Sequence, residues 1–302
     1  MAATAYGFDI TSRIITLVIM MLSTIFSIIA GITFIYLFYK YFVQKNKKFN
    51  IEVHSVLGFY KAVEIVNSMS TGFYLINSCV LYRIDENKMY GNMLLFWTSA
   101  LYSITSVSRA IAIFVLGLDK VCVILFTSKI NWRKKQISIL IGPALMIVST
   151  LFLFVYRILP NFPEQEEVFC PEFSCLTQYG YPSVYLDLRV IFAAGNLIVA
   201  IVLLILILKK DRSQGNLSRN NSEDKWIFSI MFLSFGFELI PHIFGIIYQR
   251  ITLVSLVSHI GPYPIMLTAL ESIFCGLVCV KMFSTKKIVV IQSVVKAVKT
   301  VY

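Results

Sequence analysis

Glu64, Arg109 and Glu271 each interrupt a long apolar stretch, and Lys61, Glu238 and His242 do the same. A charge at the centre of a bilayer is expensive, so each such residue marks a site for ion pairing, proton relay or ligand contact. Helical rise fixes their depth. Glu64 falls about 15 Å from His54, Arg109 about 16 Å from Lys120 and Glu271 about 15 Å from Lys281, so three helices place charges at one level. Lys61 sits one turn from Glu64 on the same face. An arginine between two carboxylates, with a lysine beside them, can be satisfied away from lipid. Such a cluster serves either as glue or as a switch whose pairs are traded between two packings. Glu238 and His242 are one turn apart around Pro241, which kinks a helix and frees a backbone carbonyl.

The elements that must carry these residues follow from composition. The chain has 302 residues, 58% of them apolar and 14% charged, with a mean hydropathy of +0.77. Those values exclude a soluble globular domain and a disordered chain. Apolar runs of bilayer length occupy 14–42, 55–81, 93–118, 137–159, 184–208, 226–248 and 260–283. The pattern predicts an all-α membrane protein, a seven-transmembrane helix bundle with residues 284–302 as its tail. The first run reads as a retained signal anchor.

Charge sets the expected orientation. The connections after spans one, three and five, together with the tail, hold 19 of the 27 Lys and Arg residues; the opposite side holds Arg13, Arg83, Lys88, Arg157, Arg189 and Arg250. Short cytoplasmic connections collect basic residues, so the N-terminus is expected outside and the C-terminus in the cytoplasm. The net charge of +11 is then a topological signal with attraction to anionic lipid, and no nucleic-acid partner is expected. The sequons at Asn216 and Asn220 fall on the cytoplasmic side and should stay bare.

Other chemistry is sparse. Three scattered histidines, His54, His242 and His259, give no metal site, and no nucleophile stands at recognisable spacing from a base, so neither cofactor nor enzyme activity is expected. Cys170 and Cys175 lie in the expected outer loop, where disulfides form; pairing with each other, or of one with Cys79, remains open. Cys122, Cys275 and Cys279 read as packing residues. Trp97, Tyr102, Tyr185, Glu238, His242 and Tyr263 could line an outer pocket of aromatic walls with a few polar groups. At the inner end, Asp119 and Lys120 close span three, and Arg133, Lys134 and Lys135 form a basic run. In the tail, Ile288, Ile291, Val295 and Val298 recur at helical spacing among lysines, which predicts a short amphipathic helix on the membrane surface.

Seven spans, an acid-base pair ending span three and a Pro-kinked span six resemble a G-protein-coupled receptor. The chain more specifically resembles the nematode serpentine chemoreceptors of class BC. The match is carried by Phe59-Tyr60-Lys61 with Glu64, Arg109 ahead of Asp119-Lys120, and Cys170 with Cys175. Phe237-Glu238-Leu239-Ile240-Pro241 and Gly261-Pro262-Tyr263 complete it. Lys120 stands where that family usually has arginine, which keeps the charge and loses the planar fork. The resemblance implies a multi-pass receptor in the plasma membrane of sensory-neuron cilia. It would take a small environmental molecule and activate a heterotrimeric G protein through Asp119, Lys120, Arg133, Lys134 and Lys135, with a receptor dimer compatible. Two rival readings use Glu64, Arg109 and Glu271 as an ion relay: a secondary transporter and a ligand-gated channel subunit.

Overall fold

Each apolar run becomes a helix. The computed structural model describes residues 10–45, 54–83, 88–91, 93–125, 132–162, 168–169, 184–214, 222–252 and 256–301. Helices α1 (Ile10–Lys45), α2 (His54–Leu81), α3 (Met93–Leu125), α4 (Trp132–Leu153) and α5 (Val184–Gln214) form the first five spans. The sixth is made of α6 (Ser222–Ser234) and α7 (Ile240–Thr252), joined by a π-helical turn at Phe235–Leu239. After the short α8 (Leu256–Ile260), α9 (Tyr263–Val301) forms the seventh. The helices outrun the apolar runs because a helix need not end where hydrocarbon does. The tail is helical, as its spacing predicts, but it continues span seven without a break and is not a separate surface element.

The bundle is inverted relative to a water-soluble one. Its outside carries large apolar side chains such as Ile32, Val80, Leu140 and Ile251, whereas Ser23, Asn67, Ser99, Ser103 and Asn196 are buried. Buried hydroxyls return to their own helices: Ser103 Oγ donates to the Ser99 carbonyl at 2.9 Å, and Ser23 Oγ to that of Ile19 at 2.6 Å. Five spans are long and apolar enough to cross a bilayer on length and composition alone. The other two, α2 and α3, have 28 and 33 residues, above the roughly 20 that a span needs, and are more polar because they face the interior.

Helix α3 runs through the middle, packed on α2, α4, α5 and α6, while α1 closes the side between α2 and α9. Gly117 permits the tight crossing, since a Cβ there would overlap Met231 of α6 and Val199 of α5. Gly261, at φ 81°, turns the chain between α8 and α9 against Thr16, a conformation that side chains disfavour. Beyond the helical expectation, β1 (Tyr82–Arg83), β2 (Lys88–Gly91) and β3 (Val168–Phe169) form a small antiparallel sheet that ties the α2–α3 connection to the α4–α5 connection.

Candidate functional site

Arg109, in the middle of the central helix, is 1% exposed and reaches three carboxylates. Its Nε donates to Glu64 Oε1 of α2 at 2.9 Å, its Nη2 lies 2.6 Å from Glu271 Oε1 of α9, and its Nη1 is 3.8 Å from Glu238 Oε2. Ser272 of α9 donates to the second oxygen of Glu64 at 3.0 Å. The planar guanidinium allows this, because its donors leave in three directions toward three helices. Lys61 is fully buried one turn from Glu64. The three charges that share a depth in sequence are thus in contact.

Glu238 links this layer to a second. Arg189 of α5 is 2% exposed and contacts Glu238 Oε1 through Nε at 2.8 Å and Nη2 at 2.7 Å. Its remaining donors reach Tyr185 Oη at 2.8 Å and Thr268 Oγ1 at 3.3 Å. Tyr185 in turn donates to Tyr102 Oη at 3.3 Å, and Tyr102 stacks on Tyr74 with ring centroids 5.3 Å apart. The Arg157 guanidinium lies over the Tyr185 ring at 4.8 Å. Arg157 is inward because α4 ends in a π-helical turn at Phe154–Ile158 and a 3-10 turn at Leu159–Asn161, which rotate its last residues out of α-helical register.

Arg157 and Arg189 therefore do not belong to the outer connections where the charge count placed them. Both are buried in the bundle, and the count opposite the basic side falls from six to four, strengthening the asymmetry. Arg189 was missed because it lies six residues into its apolar run, where an arginine can equally snorkel to the surface.

The kink at Pro241 takes the form of the π turn at Phe235–Leu239, and Glu238 is inside it. The Glu238 carbonyl meets His242 Nδ1 at 2.7 Å, which sets a proton on that nitrogen, and Tyr263 Oη donates to the Pro241 carbonyl at 3.4 Å. Two backbone carbonyls of the kinked segment are thus contacted by side chains. Of the six pocket candidates, Tyr102 and Glu238 are buried, and Tyr185, His242 and Tyr263 are half-buried. Trp97 is 43% exposed on the bundle's outside, edge-on to Phe96 and Phe162. Depth alone had placed it, and depth carries no information about direction around the helix.

At the far end, Lys120 is buried, not part of an open cationic surface. Its Nζ lies 3.7 Å from Asp224 Oδ1 of α6, and Lys210 Nζ of α5 lies 3.4 Å from Oδ2. Asp224 went unnoticed because it ends a polar linker, where a carboxylate is unremarkable. Asp119 precedes Lys120 on α3, and Arg133, Lys134 and Lys135 fall on the first turns of α4, where their side chains are outside the described residues. Cys170, Cys175, Asn216 and Asn220 also lie outside the described residues. Cys79 stands as a free thiol at the end of α2.

A buried ion-pair network thus joins spans two, three, five, six and seven of a seven-helix bundle whose sixth span is kinked. Over residues 12–287 the chain matches the family described as serpentine type 7TM GPCR chemoreceptor Srbc, and it belongs to that family. No curated protein matches the chain.

Proposed function

We propose that this receptor binds a small environmental molecule among the inward aromatic and cationic side chains near Tyr102, Tyr185, Arg157 and Arg189. Binding shifts the bundle between two packings, and the second packing activates a heterotrimeric G protein at the end that carries Lys120 and the basic run at Arg133, Lys134 and Lys135. One observation carries this reading: Glu238, on the π turn of the kinked span, pairs with Arg189 on one side and Arg109 on the other. A molecule that draws Arg189 or Tyr185 away changes the partners of a residue built into a hinge. To move such a bundle from mostly inactive to mostly active it must favour the second packing by about 5.5 kcal/mol, within reach of a charged contact and a few hydrogen bonds.

In the orientation that the basic connections support, the N-terminus is outside, the plasma membrane is the site of action, and the sensory cilium and receptor dimers are the natural setting. The test is a ligand screen on cells expressing the full chain, read through calcium or cyclic nucleotide. Hits should raise the signal, and Arg189→Lys, which keeps the buried charge, should weaken the response with surface expression largely retained. Ligand-independent proton flux through the purified protein would replace this reading with the transporter.

A further inference from the structure

Between spans six and seven, away from the ion-pair network, a groove of about 400 Å³ opens on the membrane-facing side. Its walls include Phe228 and Phe232 of α6 and Phe274 and Leu277 of α9; Trp226 and Lys281 stand at one end. Phe232 and Leu277 are more than half exposed, so this wall faces the lipid phase. Phe274 packs on Phe237 of the π turn with centroids 5.6 Å apart, which backs the deep part of the groove. From Lys281 to Phe274 is seven residues, so the apolar slot runs about 10 Å inward from the charged end.

Lys281 Nζ lies over the Trp226 ring at 5.6 Å. That pair marks a membrane interface, since tryptophan collects at headgroup level and lysine extends toward it. Lys225, the exposed neighbour of Trp226, adds a second positive charge at the same end. A slot with aromatic walls and a cationic mouth is complementary to a molecule with an apolar chain and an anionic head.

We infer that this groove is a binding site for an anionic phospholipid, one acyl chain lying along Phe232, Phe274 and Leu277 and the headgroup phosphate at Lys281 and Lys225. It adjoins the hinge through Phe274 and Phe237 and is separate from the proposed ligand chamber. Charge complementarity decides the occupant: a zwitterionic lipid would fill the slot equally well and bring the same phosphate, but its headgroup cation offsets the attraction of the basic mouth, whereas a net negative headgroup keeps it.

Lys40 supplies an internal control. Its Nζ also lies over an aromatic ring, that of Tyr36, at 5.6 Å, but it lies on α1, away from the groove. The full chain, with Trp97 and Trp132 changed to phenylalanine so that Trp226 alone reports, is placed in nanodiscs containing brominated phosphatidylserine or brominated phosphatidylcholine. Brominated phosphatidylserine should quench Trp226 at about fivefold lower mole fraction, the scale of one added lysine contact at the membrane surface. Lys281→Gln should remove most of that preference, whereas Lys281→Arg and Lys40→Gln should keep it. Equal quenching by both lipids, or quenching by neither, overturns the site. So does an equal loss in Lys40→Gln, which would mean diffuse attraction to the whole basic face. Thermal melting of each variant shows that it is folded, and none of these readouts requires the receptor ligand.

Discussion

Two charged clusters cross the bundle, and they are built differently. Around Arg109 and Arg189, cations and carboxylates are almost wholly buried, and the closest pairs are 2.6 to 2.9 Å apart. Around Asp224, two lysines lie at longer distances, 3.4 and 3.7 Å, and Lys210 is 29% exposed. The first cluster is dry and geometrically defined, so removing one member strands charges in low dielectric. The second meets solvent only at Lys210, whose contact is worth about 0 to 1 kcal/mol and is screened by salt, whereas Lys120 and Asp224 are covered. In the proposed mechanism this division supplies a strong clamp at the pivot and a weaker latch at the end proposed to open.

The comparison can be broken most directly at Arg109. Arg109→Ala leaves Glu64 and Glu271 without the guanidinium they share, and should cost about 3 to 5 kcal/mol, seen as near-complete loss of surface expression by flow cytometry. Replacing Glu64, Arg109 and Glu271 together by uncharged residues should recover much of that expression, because a whole buried network tolerates apolar replacement better than a half network does. No recovery would mean that the three residues do not act as a unit. A full agonist response in the triple variant would make the cluster glue rather than switch.

Arg189→Lys should have an intermediate effect. Lysine keeps the charge but loses the fork that joins Glu238, Tyr185 and Thr268, so agonist potency should fall about tenfold or more, with expression reduced far less than in Arg109→Ala. A wild-type dose–response curve would show that the fork is not used. Smaller in stability but opposite in sign for signalling, Lys210→Gln should shift thermal unfolding by less than about 1 kcal/mol while raising ligand-independent signalling, since only the solvent-facing contact of Asp224 is released. An unchanged basal signal would remove the latch from the mechanism. Smallest of all is Trp97→Ala: with its ring outside the bundle, agonist potency should stay within about twofold, the scale of a peripheral packing change.

What the sequence revealed about this site was depth. A fixed rise per residue converts spacing into height, so Glu64, Arg109 and Glu271 could be placed together before any helix was packed. Direction around the helix was legible only where a charge demanded the interior, which is why Arg109 was placed well and Trp97 was not. Arg157 shows a further limit, because the π turn that rotates it inward has no residue signature comparable to Pro241. Asp224 shows another, since a carboxylate at the border of a polar linker looks the same whether or not a buried lysine waits opposite. The spans were readable because lipid imposes a composition on whatever faces it, whereas the small sheet joining two connections left no comparable periodic trace in two- and four-residue strands.

Helix α9 carries Glu271 and continues unbroken to Val301. At 1.5 Å per residue, the part beyond Glu271 measures about 45 Å, longer than the hydrocarbon layer is thick. It is a lever whose short arm is clamped to Arg109. A tilt of about 5° at the clamp sweeps the far tip through about 4 Å, the size of a helix shift that other proteins use to switch partners. A rearrangement too small to disturb the packing around Arg109 would therefore arrive at the far end of the chain already magnified.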